Sequence, residues 1–577
     1  MARDSRASEE RRWTEEQRLV LDSVVLGVVG AGAAGLFGWL LRVSQHVLLE
    51  GLGGYAPPRA PGEPASWTWG AARGHLWIPV VTTLGGLLSG LIVYSFAPEA
   101  EGHGTDTAVK AFHAAGGKIR ARVAPLKMIA SAITIGSGGA AGREGPTALI
   151  ASGFGSLYGR IFRRSAGERR LLLLIGMAAG LSAVFRSPIG TAIFAIEVLY
   201  GEMDFEGGAL AYTMLSAVVA YSLNGIFAGW APLFRVPASL PSPGLVGNLW
   251  YVVLGLLTGI LGALIPTVFY GVRDLFDRLR IPRRLKPALG GLGVGLIALA
   301  LPQVLGGGYG WIQRAIDGQL ALSILAALVL AKLAAFSLTV SSGGSGGVFA
   351  PTLFVGAMAG GFLASALGRP PGPFVIVGMA ATFGGAARVP AATLLMVTEM
   401  TGGYRLLVPA ALAVIVAYLV QASLTRGRRY PSLYEAQVAD RSASPAHNEH
   451  YLAVALRLLD ERKLRVSESL GRLDLPSVLS SGVPVDLSDG TQVLMGALSP
   501  KSELVGKPVG EAFPRDRHAE AELIAIYRRG EALLPESGLV LKPRDRLLFI
   551  ATESGRRMLA EHLTVPEEPP KIASRRG

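Results

Sequence analysis

An all-α polytopic membrane domain followed by a small cytoplasmic α+β domain is the fold class predicted for this chain, on three observations. Half of the 577 residues are hydrophobic, only 17% are charged and 75 are glycine, a balance that suits lipid better than water. Apolar windows of about twenty residues, long enough to cross a hydrocarbon core, recur from residue 19 to residue 424. One Gly-rich segment occurs twice: GSGGAAGREGPTALIASGFG (136–155) aligns without a gap on SSGGSGGVFAPTLFVGAMAG (341–360), with seven of twenty positions identical.

Residues 1–18 carry five arginines against five acids and no apolar run, so they read as a cytoplasmic lead-in rather than a cleavable signal. The membrane domain follows over 19–435, with spanning windows at Leu19–Leu41, Trp77–Ala97, Leu171–Tyr200, Leu249–Tyr270, Leu320–Leu338, Pro373–Met400 and Leu406–Leu424. The net charge of +13 is gathered in GRIFRRSAGERR (159–170), VRDLFDRLRIPRRLK (272–286) and TRGRR (425–429). These clusters flank apolar spans, so they read as positive-inside topology signals, with both termini cytoplasmic and the chain in the cell (inner) membrane, and nucleic acid is not expected as a partner. A chain without cysteine has no disulfide, thiolate or Cys-metal chemistry.

The repeat extends further. Pro188, Thr191 and Glu197 in SPIGTAIFAIEV have the spacing of Pro390, Thr393 and Glu399 in VPAATLLMVTEM. Paired repeats of this kind, commonly inverted, build transport folds in which broken helices end near the bilayer midplane. A Gly-rich approach, a proline in the first turn and then an apolar run describe a helix that begins inside the membrane. Such a start aims unpaired N–H groups and partial positive charge into a space without water, and a small monovalent anion is their natural partner. Glu144 lies at one start. Its carboxylate can stand in the anion's place when ionised and leave when protonated, or it can simply cap its own helix. For Arg143 a structural role is expected, pairing locally or reaching the interface.

With these residues in view the chain resembles the CLC chloride channels and chloride/proton antiporters, from about Leu19 to Tyr434. GREGP (142–146) is similar to that family's gating-glutamate motif and GVFAP (347–351) to its partner in the second half. The resemblance implies a homodimer in the bilayer with broken, re-entrant helices in each inverted repeat and one anion pathway per subunit. Chloride would be held by backbone N–H groups of Gly142, Arg143, Glu144 and Gly145 and of Gly347, Val348, Phe349 and Ala350. A tyrosine hydroxyl would join them, and Tyr434 matches it, although a tyrosine here also suits the interfacial belt.

Two departures matter. Where the family often has a serine on the central chloride, this chain has GHGTD (102–106), with His103 between Gly102 and Gly104. Either the imidazole donates to the anion, making the site pH-dependent, or it turns away and leaves only backbone. Antiporters of the family usually carry an internal glutamate one residue after the position of Glu197; here that residue is Val198, as in family channels, so passive conduction is expected. Glu202 would sit one helical turn further and replace the missing proton donor if the helix continues, or mark a solvated helix end.

Beyond Tyr434, residues 436–483 read as a polar linker with amphipathic spacing in YLAVALRLLDERKL, 484–563 alternate strand-like runs with turns, and 564–577 are expected to be a basic, disordered tail. The stretch 502–552 resembles the C-terminal subdomain of RCK (TrkA-C-like) domains, which implies a dimerising, regulatory module. Some relatives bind cyclic di-AMP; Arg515 and Arg517 are the candidate contacts here, flanking Asp516, and the expected asparagine falls at Glu522. No other cofactor is expected. GGSGG around Ser345 looks like an intramembrane serine-protease motif, but the next histidine is His447, beyond the last span, so no general base is placed for it and the chain is not expected to be an enzyme.

Overall fold

The computed structural model describes residues 15–63, 75–236 and 245–441, residue 444, and 485–486, 491–500, 502–514, 520–528, 531–533, 535–543 and 545–564. They fall into two compact units, divided between Gln437 and Val438.

The first unit is helical. Its elements are α1 (Glu15–Gln45), α2 (Ile78–Phe96), α3 (Thr105–Ala114), α4 (Val123–Gly136), α5 (Glu144–Ile161), α6 (Ala166–Phe185), α7 (Pro188–Glu197) and α8 (Leu210–Ala228), then α9 (Leu245–Arg278), α10 (Lys286–Ala300), α11 (Tyr309–Ile316), α12 (Leu322–Ser341), α13 (Phe349–Ala366), α14 (Pro371–Ala387), α15 (Pro390–Thr401) and α16 (Leu407–Leu424). Among the described residues seven helices are long and apolar enough to cross a bilayer. The protein is a multi-pass membrane protein.

Two expected spans are broken. The windows 171–200 and 373–400 each divide, into α6 and α7 and into α14 and α15, because Arg186 and Arg388 close the first helix of each pair in the left-handed region at φ 56°. Pro188 and Pro390 then restart the chain at the first turn, where a missing N–H costs nothing. The corresponding Pro-to-Glu segments also cap each other. Glu197, at the end of α7, accepts from Ala391 N (3.1 Å) and Ala392 N (2.7 Å) at the start of α15. Glu399 in α15 accepts from Ser187 Oγ (2.5 Å), Ile189 N (3.2 Å) and Gly190 N (2.9 Å) at the start of α7. Each half of the chain thereby satisfies donors that lipid cannot.

Arg273 of the 272–286 cluster donates to Tyr430 Oη (2.9 Å), beside the 425–429 cluster, and Arg428 of that cluster donates to Thr267 Oγ1 (2.8 Å).

The second unit carries a six-stranded antiparallel sheet in the order β1 (Val485–Asp486), β2 (Gln492–Leu498), β5 (Arg546–Ala551), β3 (Ala521–Arg528), β4 (Glu531–Leu533), with β6 (Leu563–Thr564) also on β2. Leu494, Ile526, Leu547 and Phe549 form its core with Leu541 and Leu559. Asp545 holds Arg528 by two bonds, 2.9 Å to Nε and 2.7 Å to Nη2. That pairing raises the Arg528 guanidinium above its ordinary pKa. The expected amphipathic linker helix lies outside the described residues.

Candidate functional site

Three glycine loops meet inside the first unit. Gly142 and Gly347 exchange a reciprocal pair of backbone hydrogen bonds, both 2.7 Å, so the two copies of the repeated segment are bonded to each other. Gly346 N donates to Gly102 O at 3.2 Å, which ties in the loop before α3. A side chain at 347 would stand 2.8 Å from Gly145 N and 2.9 Å from Gly142 O, and one at 104 would stand 2.7 Å from Gly145 O, so glycine at both is a packing requirement. The starts of α3, α5, α11 and α13 gather around this junction, and none carries a side-chain cap from the residue at its N-cap: Gly104, Arg143, Gly308 and Val348. Their first-turn N–H groups and dipoles make a site for negative charge.

The Glu144 carboxyl group occupies that site. It is 1% exposed, and the N–H groups of Glu144 and Ala350 face it, while a Cβ at Gly142 would collide with it. Among the described residues Oε2 finds no hydrogen bond of good geometry. Oε1 accepts from the hydroxyl of Tyr309, the first residue of α11. Arg143 Nε lies 4.0 Å from Oε1, its Nη1 3.9 Å from Glu63, and its guanidinium 5.3 Å from the Tyr309 ring centre. Arg143 therefore pairs locally.

Near the junction also lie His103 and Tyr434, 8% and 3% exposed, with ring centres 5.4 Å apart. The Tyr434 hydroxyl is within reach of the Thr105 hydroxyl, and His103 Nδ1 is buried with no hydrogen-bond partner among the described residues. Phe349 lines the same region, packed on Phe185 and Phe383 with centres 4.5 and 4.2 Å apart. Tyr434 thus stands in the interior, not in an interfacial belt.

Sequence reasoning missed three participants. Lys127 and Lys332, both fully buried, hold the loops that lead into α3 and α11: Lys127 Nζ donates to Ala100 O (3.0 Å) and Gly102 O (2.6 Å), Lys332 Nζ to Val304 O and Gly306 O (both 2.7 Å). The third is Tyr309. The available signal was GGGYG (306–310) matching GHGTD (102–106), with one lysine following each in the next apolar helix. Outside Tyr309 and Arg143 a cavity of about 410 Å³ is lined by Arg42, Arg59 and Arg186 along with Glu50 and Glu63, so arginine predominates on the approach to the junction.

Other expected residues fall elsewhere. Val198 is fully buried just past the end of α7, its carbonyl accepting from Gln437 Nε2 at 3.1 Å. Because α7 ends at Glu197, Glu202 does not lie a helical turn further on; it sits in the exposed stretch before α8. The Ser345 hydroxyl is shared between Ser131 Oγ (2.8 Å) and Ala100 O (3.0 Å), which makes it a structural tie between the halves. Arg515 and Arg517 lie outside the described residues.

Residues 85–422 match the family described as voltage gated chloride channel, and residues 497–564 match the TrkA-C domain. A ClcB-like protein of Ralstonia nicotianae, named for a chloride channel, is 33% identical over 59% of this chain and 81% of its own length. The H(+)/Cl(−) exchange transporter ClcA of Salmonella arizonae is 32% identical over 64% of this chain and 81% of its own length. In fold the chain is similar to a CLC-type fluoride/proton antiporter (TM-score 0.61, 24% identity, 74% of this chain and 100% of that one). It is also similar to a slow cyanobacterial Cl−/H+ antiporter (0.59, 23%, 72% and 95%).

Proposed function

The chain belongs to the voltage-gated chloride channel (CLC) family of anion transporters, and from that premise we propose that it carries chloride through a pathway that the Glu144 carboxylate opens and closes. The observation that supports this reading is the carboxylate itself, buried where the starts of α5 and α13 meet and facing the N–H of Ala350. An ionised carboxylate there excludes a halide by occupying its donors; a protonated one gains little from them and leaves. Chloride would pass from the arginine-lined cavity through the Glu144 position to His103 and Tyr434. Chloride flux is expected to rise as pH falls through the titration of Glu144, which Arg143 and Tyr309 face directly and Glu63 faces through Arg143.

Vesicles loaded with chloride and reconstituted with the protein test this. They are expected to release chloride, and Glu144→Gln to alter the rate and abolish its pH dependence; equal, pH-dependent release from both proteins would refute the gate.

The same assay separates two modes. The apolar Val198 at the family's internal proton position favours passive conduction, in which no proton moves with chloride. The exchange transporters among the relatives favour coupled antiport, in which chloride flow drives protons against their gradient. We further propose a homodimer in the inner membrane with both termini cytoplasmic, no catalytic chemistry, and modulation by the TrkA-C domain. A cyclic di-AMP titration of the flux tests that domain's effector.

A further inference from the structure

We propose that Tyr309 is the latch of this gate: its hydroxyl holds the Glu144 carboxylate in the anion's place and sets how often the pathway is free. The inference rests on the reading of Glu144 as a gate and adds the residue that regulates it. Tyr309 is 6% exposed and opens α11 after Gly308, whose φ of 81° turns the chain into the helix. Its ring is fixed from two sides, by Phe234 (centres 5.9 Å apart) and by the Arg143 guanidinium. Its hydroxyl reaches Glu144 Oε1 across the boundary between the halves.

The repeat sharpens the assignment. Thr105 occupies the corresponding first turn of α3, after Gly104, and its hydroxyl lies beside Tyr434 instead. Equivalent positions in the two halves therefore serve different partners, Glu144 for Tyr309 and Tyr434 for Thr105. A hydroxyl that donates to a carboxylate stabilises the ionised, seated form more than the protonated form that must leave, because charge-assisted bonds are the stronger ones. Opening requires that this bond break. A tyrosine that merely fills space would also find its hydroxyl a partner, so the distinction must come from function.

The test compares chloride efflux at neutral pH from vesicles holding the wild type, Tyr309→Phe, Glu144→Gln or both changes. Phenylalanine keeps the ring and its contacts with Phe234 and Arg143, and a stable protein is expected. Loss of one hydrogen bond to a charged group should raise efflux roughly tenfold in the single variant. In the Glu144→Gln background, Tyr309→Phe should change efflux by less than about twofold; Tyr309→Leu, which also removes the hydroxyl, should raise efflux in the wild-type background and stay within the same twofold limit in the Glu144→Gln background. Unchanged efflux in Tyr309→Phe, with Glu144→Gln still altering it, overturns the latch and leaves the gate standing. An equal effect of Tyr309→Phe in both backgrounds makes Tyr309 a wall of the pathway and also overturns the latch. Wild-type efflux in Glu144→Gln removes the gate and the latch together.

Discussion

At Gly347 the junction has room for a hydrogen atom and nothing larger. A methyl group there would press on Gly145 N and Gly142 O and part the 2.7 Å pair that joins the two halves. Overpacking of this kind costs about 1–3 kcal/mol, and a transport barrier raised by that much lowers chloride flux by about 5-fold to 150-fold. Gly347→Ala is therefore expected to insert and elute as the wild type does but to fail in the efflux assay; wild-type efflux would show that the junction is not the site. The buried lysines make a separate prediction. Replacing Lys332 by Met leaves the carbonyls of Val304 and Gly306 without their donor, at a cost of about 1–3 kcal/mol, read as a lower unfolding temperature in detergent. A variant as stable as the wild type would mean that those carbonyls find other donors.

Among the elements, the mutual caps of α7 and α15 decide how two broken helices survive in lipid. Glu399→Ala would strip the start of α7 of the carboxylate that takes Ile189 N and Gly190 N, and should destabilise the membrane unit by about 1–2 kcal/mol. Calorimetry of the purified variant checks this, and an unchanged transition would assign the cap no weight. The spacing of Pro188 to Glu197 and of Pro390 to Glu399 was visible in the sequence, but its purpose was not, because each glutamate caps the helix of the other repeat. The windows 171–200 and 373–400 read as continuous spans because Arg186 and Arg388 look like ordinary charges at a helix end. Only their left-handed backbone makes them the breaks. The Gly-rich repeat and Glu144 were legible because the chemistry of a helix start in lipid leaves few residue choices, whereas Tyr434 came only from the family resemblance. Tyr309 was not: the match of GGGYG to GHGTD marks its loop as the partner of the His103 loop, but the contact with a glutamate 165 residues earlier exists only in the fold.

Across the whole molecule, the proposed pathway is built from residues before Gln437, in the unit that precedes the TrkA-C domain. Removal of residues 438–577 is therefore expected to leave chloride efflux and its dependence on Glu144 in place, with only its regulation changed. Loss of all efflux from a truncated protein that still inserts and elutes normally would place part of the pathway's stability in the tail. The central claim is that backbone amides at two helix starts hold a dehydrated halide and that the Glu144 carboxylate is its rival. Anomalous scattering from bromide in crystals of the Glu144→Gln protein tests it most directly. A bromide peak within hydrogen-bond distance of the N–H of Ala350, where the wild-type carboxylate stands and where wild-type crystals show no peak, is the predicted result; an empty position in the variant would contradict the account.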